Sequence, residues 1–109
     1  RSLVGSEMCI RDRIMSEKIR NQEMDDLFKA ILTLKDEEEC YNFFMDICTI
    51  NELQSLVQRF DVAKMLREKK TYQEIAKETG ASTATISRVN RSLNYGNDGY
   101  AIVLERMEK

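Results

Sequence analysis

The chain has 109 residues, a net charge of −2, 42% hydrophobic and 33% charged residues, three cysteines, four glycines, and neither proline nor histidine. That balance fits one small globular domain and, with so few turn-formers, favours helices joined by short connections. It excludes a Cys/His zinc site, because histidine is absent and Cys9, Cys40 and Cys48 form no CxxC pair. No apolar run approaches the length of a membrane-spanning helix, and Leu3-Val4 is too short for the apolar core of a signal peptide, so the expected location is the cytoplasm.

Residues 1–14, RSLVGSEMCIRDRI, carry neither a helical nor a strand period, and Met15-Ser16-Glu17-Lys18 reads as an ordinary start. The stretch resembles a spurious tail found on unrelated translated sequences. It is expected to be a non-native or disordered extension, with residues 15–109 as the folded domain. The alternative is a native arm whose three arginines touch DNA. Without Arg1, Arg11, Arg13, Glu7 and Asp12 the net charge is −3, which argues against indiscriminate nucleic-acid binding.

Met24, Leu27, Phe28, Ile31 and Leu32 follow helical spacing and predict a first amphipathic helix. The acidic run Asp36-Glu37-Glu38-Glu39 opens a second, with Cys40, Phe43, Phe44, Ile47 and Cys48 on its apolar side. Acids suit the positive end of a helix dipole. The two cysteines would sit about 12 Å apart along that helix, too far to bridge, and read as small buried apolar residues. Thr49-Ile50-Asn51-Glu52 is a capping-box pattern that starts a third helix, with Leu53, Leu56, Val57, Phe60, Ala63 and Leu66 inward.

Thr71-Tyr72-Gln73-Glu74 is a second capping box, and Gly80 closes the short fourth helix that follows. Ser82 caps a fifth helix ending near Leu93, residues 94–99 read as a loop, and Asp98 caps a last helix with Tyr100, Val103, Leu104 and Met107 on one face. The fourth and fifth helices fit a helix-turn-helix over residues 71–93. Ala76 is small where the second helix crosses, Gly80 supplies a positive φ, and Ile75, Ile86 and Val89 pack the pair. Thr79 fits least well, because a larger apolar residue is usual there.

That register places Ser82, Thr83, Ala84, Thr85, Ser87, Arg88 and Arg91 on the outer face or N-terminal end of the fifth helix, where base edges are read in the major groove. Gln73, Lys77 and the amides near Ser82 and Thr83 are placed to hold phosphates. Charge agrees with this. Residues 15–61 are net −6, whereas residues 62–91 are net +4, with Lys64, Arg67, Lys69, Lys70, Lys77, Arg88 and Arg91 against Glu68, Glu74 and Glu78.

The stretches LQSLVQRFDVAKML and TYQEIAKETGASTATISRVNRSLN resemble the tryptophan repressor superfamily, and within it the TrpR-like YerC/YecD group. The resemblance implies an all-α, six-helix fold, an intertwined homodimer, and a repressor-like role at a two-fold DNA operator. It also implies a tryptophan pocket at Thr49, Arg59, Arg88 and Ser92, with Arg59 placed only by allowing a one-residue deletion before Thr71. Val89 departs from the pattern: tryptophan-binding members carry glycine there, and a valine crowds the indole. The expectation is therefore a vestigial pocket and no tryptophan corepressor, with Arg59 and Arg88 making helix-end or phosphate contacts instead. The sequence names no other small effector.

The function expected is sequence-specific duplex DNA binding by a transcription regulator, a repressor by family habit. Two other readings stay open: the DNA-targeting module of a mobile-element protein, and a protein-interaction adaptor that retains the fold. No enzyme is expected, because the chain has no histidine, no Gly-rich phosphate loop and no nucleophile–base pair, and no metal site is suggested.

Overall fold

The computed structural model describes residues 20–108, which form six helices and no strand: α1 Gln22–Ile31, α2 Glu37–Ile47, α3 Ile50–Arg67, α4 Tyr72–Thr79, α5 Thr83–Tyr95 and α6 Gly99–Glu108. The extension expected over residues 1–14 lies outside the described residues. The chain divides into two compact units that meet between Ile50 and Asn51. Among the described residues no helix is long and apolar enough to cross a membrane.

The first unit carries α1 and α2, and both begin on a side-chain cap. The Asn21 side chain accepts the Met24 N–H at 2.8 Å, and Asp36 accepts the Glu39 N–H at 2.9 Å. Glu39 in turn accepts the Lys35 N–H at 2.8 Å, so the acidic run satisfies one orphan donor of α2 and the amide just before its cap. The predicted apolar stripes are in place, yet neither helix contains a buried residue. Leu32 is 83% exposed, and Phe28, Tyr41, Met45 and Ile47 are exposed as well. The expectation of buried cysteines is corrected here. Cys40 is exposed and Cys48 half-buried, and α1 and α2 bury none of their residues fully.

The second unit has a closed core of Val62, Ala63, Ile75, Ala81, Ile86, Val89 and Leu104, with Phe60, Met65, Leu66, Ala76 and Tyr100 packed around it. The inward face of α3 matches the expected one in part: Ala63 is fully buried and Phe60 and Leu66 pack on the core. Leu56 and Val57 are exposed, whereas Val62 is fully buried beside Ala63. At 100° per residue, Leu53, Leu56, Val57 and Phe60 share one side of α3, and Val62 and Leu66 lie nearly opposite. The core of this unit takes Val62 and Leu66 from the second side together with Phe60 and Ala63 from the first.

α5 runs two residues past the predicted Leu93, to Tyr95, and shortens the expected loop. Asn94 supports the extra turn by donating to the Asn90 carbonyl at 3.0 Å. Gly96 ends α5 where any Cβ would collide with the Ser92 carbonyl. Asp98 then takes φ 66°, a left-handed conformation that aspartate tolerates, and α6 starts at the next residue.

Candidate nucleic-acid interface

The helix-turn-helix is set by three local devices. The first is the capping box of α4, in which the Thr71 hydroxyl accepts the Glu74 N–H at 3.1 Å and the Glu74 carboxylate accepts the Thr71 N–H at 2.8 Å. Those bonds to Thr71 hold the Glu74 carboxyl below its ordinary value, and the Lys70 ammonium adds to the effect. The second device is Gly80, whose φ of 74° turns the chain out of α4 while its N–H donates to the Ala76 carbonyl at 2.8 Å. A Cβ at Gly80 would meet open space, so backbone conformation and not crowding demands glycine. The third is Ser82, whose hydroxyl accepts the Thr85 N–H at 3.1 Å and donates to the Thr85 hydroxyl at 3.1 Å, starting α5.

Ile75 and Ile86 are fully buried between these devices, with Ala81 and Val89 beside them. Thr79, the weakest match to the pattern, has a polar role. Its hydroxyl donates to the Ile75 carbonyl at 2.7 Å and accepts the Ala81 N–H at 3.1 Å. Ala81 is buried, and an unpaired N–H there would cost about 1–3 kcal/mol. The clue available in the sequence was a hydroxyl residue in the last turn of a helix, which can reach back one turn to a carbonyl.

On the outer side, Ser82, Thr83, Ala84, Ser87, Arg88 and Arg91 of the cap and α5 are exposed, as are Gln73 and Lys77 of α4. Thr85 is half-buried and tied to Ser82. The cations of this segment fall into two groups. Lys64 pairs with Asp61 at 3.6 Å, Arg67 with Glu108 at 3.3 Å, and Lys70 with Glu78 at 3.6 Å. Lys69, Lys77, Arg88 and Arg91 make no ion pair among the described residues. The first turn of α5 also holds no acid, whereas that of α2 holds three. The start of α5 therefore carries no acid of its own, and Arg88 and Arg91 stand exposed on the same helix.

The residues expected to form a vestigial ligand pocket differ in burial. Val89 is 2% exposed and packed in the core with Ile75 and Ile86. Arg59, Arg88 and Ser92 are exposed, and Thr49 belongs to the first unit. Residue 89, next to Arg88, is thus an apolar side chain closed into the core of this unit.

A capped helix, a glycine turn and a second capped helix with an exposed polar and cationic outer face define a helix-turn-helix protein. The sequence profile of the Trp repressor protein family matches residues 22–108, and the chain belongs to that family of DNA-binding regulators, which is not a family of enzymes. YerC of Bacillus subtilis, an uncharacterized protein, is 63% identical over 93 residues, covering 85% of this chain and 89% of its own. The crystal structure of a TrpR-like protein from Eubacterium eligens is similar with a TM-score of 0.82 and 66% identity, over 84% of this chain and 95% of that one. A candidate Trp repressor from Staphylococcus aureus matches with a TM-score of 0.81 and 60% identity, over 84% and 92% of the two chains.

Proposed function

We propose that the protein is a sequence-specific duplex DNA binder acting as a homodimeric transcription regulator of repressor type in the cytoplasm, and that it reads DNA without tryptophan. The observation that carries the proposal is the outer face of α5. Thr83, Ala84, Ser87, Arg88 and Arg91 are exposed there on a helix whose start is capped by Ser82 and free of acids. Threonine and alanine methyls suit thymine methyl groups, and arginine suits guanine. Gln73, Lys77 and the first amides of α5 hold the phosphates, while Thr85 supports the cap.

Pairing is supported by the first unit. Two amphipathic helices with no buried residue cannot offset the entropy of their own ordering. A second copy of the chain supplies the missing cover, and two reading heads then face two half-sites. Independence from tryptophan is supported by Val89, whose burial closes the space beside the second arginine of the family pocket.

Selection of bound duplexes from a random library by the full chain tests this reading, with Arg88→Ala and Thr83→Ala as controls. The expected result is a two-fold site with half-sites about one helical turn apart, enriched equally with and without tryptophan, steeply salt-sensitive, and lost in both controls. Absence of any enriched site removes the DNA reading in favour of an adaptor that keeps the fold. Saturable calorimetric binding of tryptophan removes the claim of independence.

A further inference from the structure

We propose that Gln58 and Thr79 form a polar clasp that sets the orientation of the reading helix α5 against α3, which makes them positioning residues for DNA recognition; this rests on the reading of α5 as the recognition helix. The Gln58 side-chain amide donates to the Thr79 carbonyl at 3.1 Å, across 21 residues of sequence. Gln58 lies one turn before Val62, which is fully buried in the core of this unit. Its partner carbonyl belongs to the last residue of α4, where a helix has no internal donor to offer. The Thr79 hydroxyl meanwhile bonds Ile75 behind it and the buried Ala81 amide ahead of it.

Two backbone groups flanking Gly80, the Thr79 carbonyl and the Ala81 N–H, are thus both satisfied by side chains, and one of those side chains belongs to α3. The difference from ordinary packing is direction. Contacts among Ile75, Ala81, Ile86 and Val89 hold the helices together, but apolar contacts have little angular preference. Hydrogen bonds prefer a narrow range of distance and angle. The clasp fixes which way the turn faces, and Ser82 and the start of α5 follow two residues later. Phosphate contacts tolerate a small rotation of α5, whereas paired contacts to base edges do not.

Thr79→Val removes the hydroxyl and keeps the shape, Gln58→Leu removes the donor and keeps the bulk, and Thr79→Ser retains the hydroxyl. Each is made in the full chain. Residual dipolar couplings report the angle between α3 and α5 in the free protein, and exchange of the Ala81 amide reports its hydrogen bond. Affinity is measured for a duplex selected by the wild type and for its scrambled counterpart. In Thr79→Val and Gln58→Leu the α3–α5 couplings change, and the preference for the selected duplex falls about tenfold, the value of one good base contact. The salt slope stays the same, because phosphate contacts are unchanged. Thr79→Val also speeds Ala81 exchange, and Thr79→Ser restores wild-type behaviour in every measurement.

Unchanged couplings and preference alongside a lower melting temperature would overturn the clasp as a positioning device and leave it as structural support. So would a Thr79→Ser variant as impaired as Thr79→Val. If the wild type selects no duplex, the DNA reading fails by itself, and the couplings and Ala81 exchange alone decide whether the clasp orients α5.

Discussion

The two units of this chain are both built from helices that carry apolar side chains, yet they solve different problems. The second unit closes a core of seven buried residues drawn from α3, α4, α5, α6 and the turn. The first has α1 and α2 with good caps, complementary acids in their first turns, and no buried residue. Capping and periodicity therefore suffice to write a helix but not to stabilise one. The second unit closes its own core, whereas α1 and α2 leave their apolar sides uncovered. The two units also use charge in opposite ways. α2 places three acids over its own dipole, whereas α5 leaves its N-terminus free of acid and its arginines exposed.

The largest test of this contrast is to charge the uncovered face. Phe28→Asp with Met45→Asp is expected to abolish pairing, at a cost of roughly 3–5 kcal/mol for placing unpaired charges in an apolar contact. Sedimentation should show one chain where the wild type shows two, and an unchanged mass would mean that pairing does not use this face. Next comes Ile86→Ala in the closed core, which should destabilise the second unit by about 3 kcal/mol in denaturant unfolding. Leu32→Ala on the exposed face should cost no more than about 0.5 kcal/mol wherever the chain is single. Similar values for the two would erase the distinction between the units.

Smaller effects separate structural caps from functional ones. Asp36→Ala and Ser82→Ala should each cost about 1 kcal/mol of stability. Only Ser82→Ala should also weaken binding to a selected duplex, since it loosens the first amides of α5. The smallest effect is a pH dependence from Glu74. Its folded carboxyl sits below the ordinary value of 4.5 because of the bonds with Thr71. Its contribution is therefore complete above that value and disappears as pH falls through the lowered one. Acid unfolding followed by circular dichroism should show a shallower loss below pH 4.5 in Glu74→Gln than in the wild type.

Much of the reading head was legible because its devices are short-range. Thr71 with Glu74, Gly80, and Ser82 with Thr85 act within four residues of one another, and their spacing can be read directly. The exposed outer face followed from the same register, since fixing Ile75, Ile86 and Val89 inward leaves Ser87, Arg88 and Arg91 outward. The role of Thr79 was not legible, although its position was. It looked like a poor apolar residue because its partners, the Ile75 carbonyl and the Ala81 amide, are backbone groups that no side-chain pattern reveals.

The sequence by itself determined where α2, α4 and α5 start, that Thr71 and Ser82 cap and Gly80 closes, and which face of α5 is polar. Those outcomes depend on neighbours three or four positions away. Tertiary structure decided which apolar stripes are covered. α3 carries two of them, and nothing local distinguishes the side of Val62, which is buried, from the side of Val57, which is 58% exposed. It also decided that Gln58 answers the carbonyl of Thr79. Burial and long-range hydrogen bonds depend on what another segment brings to the same place, and that information is not contained in any window of sequence a few turns long.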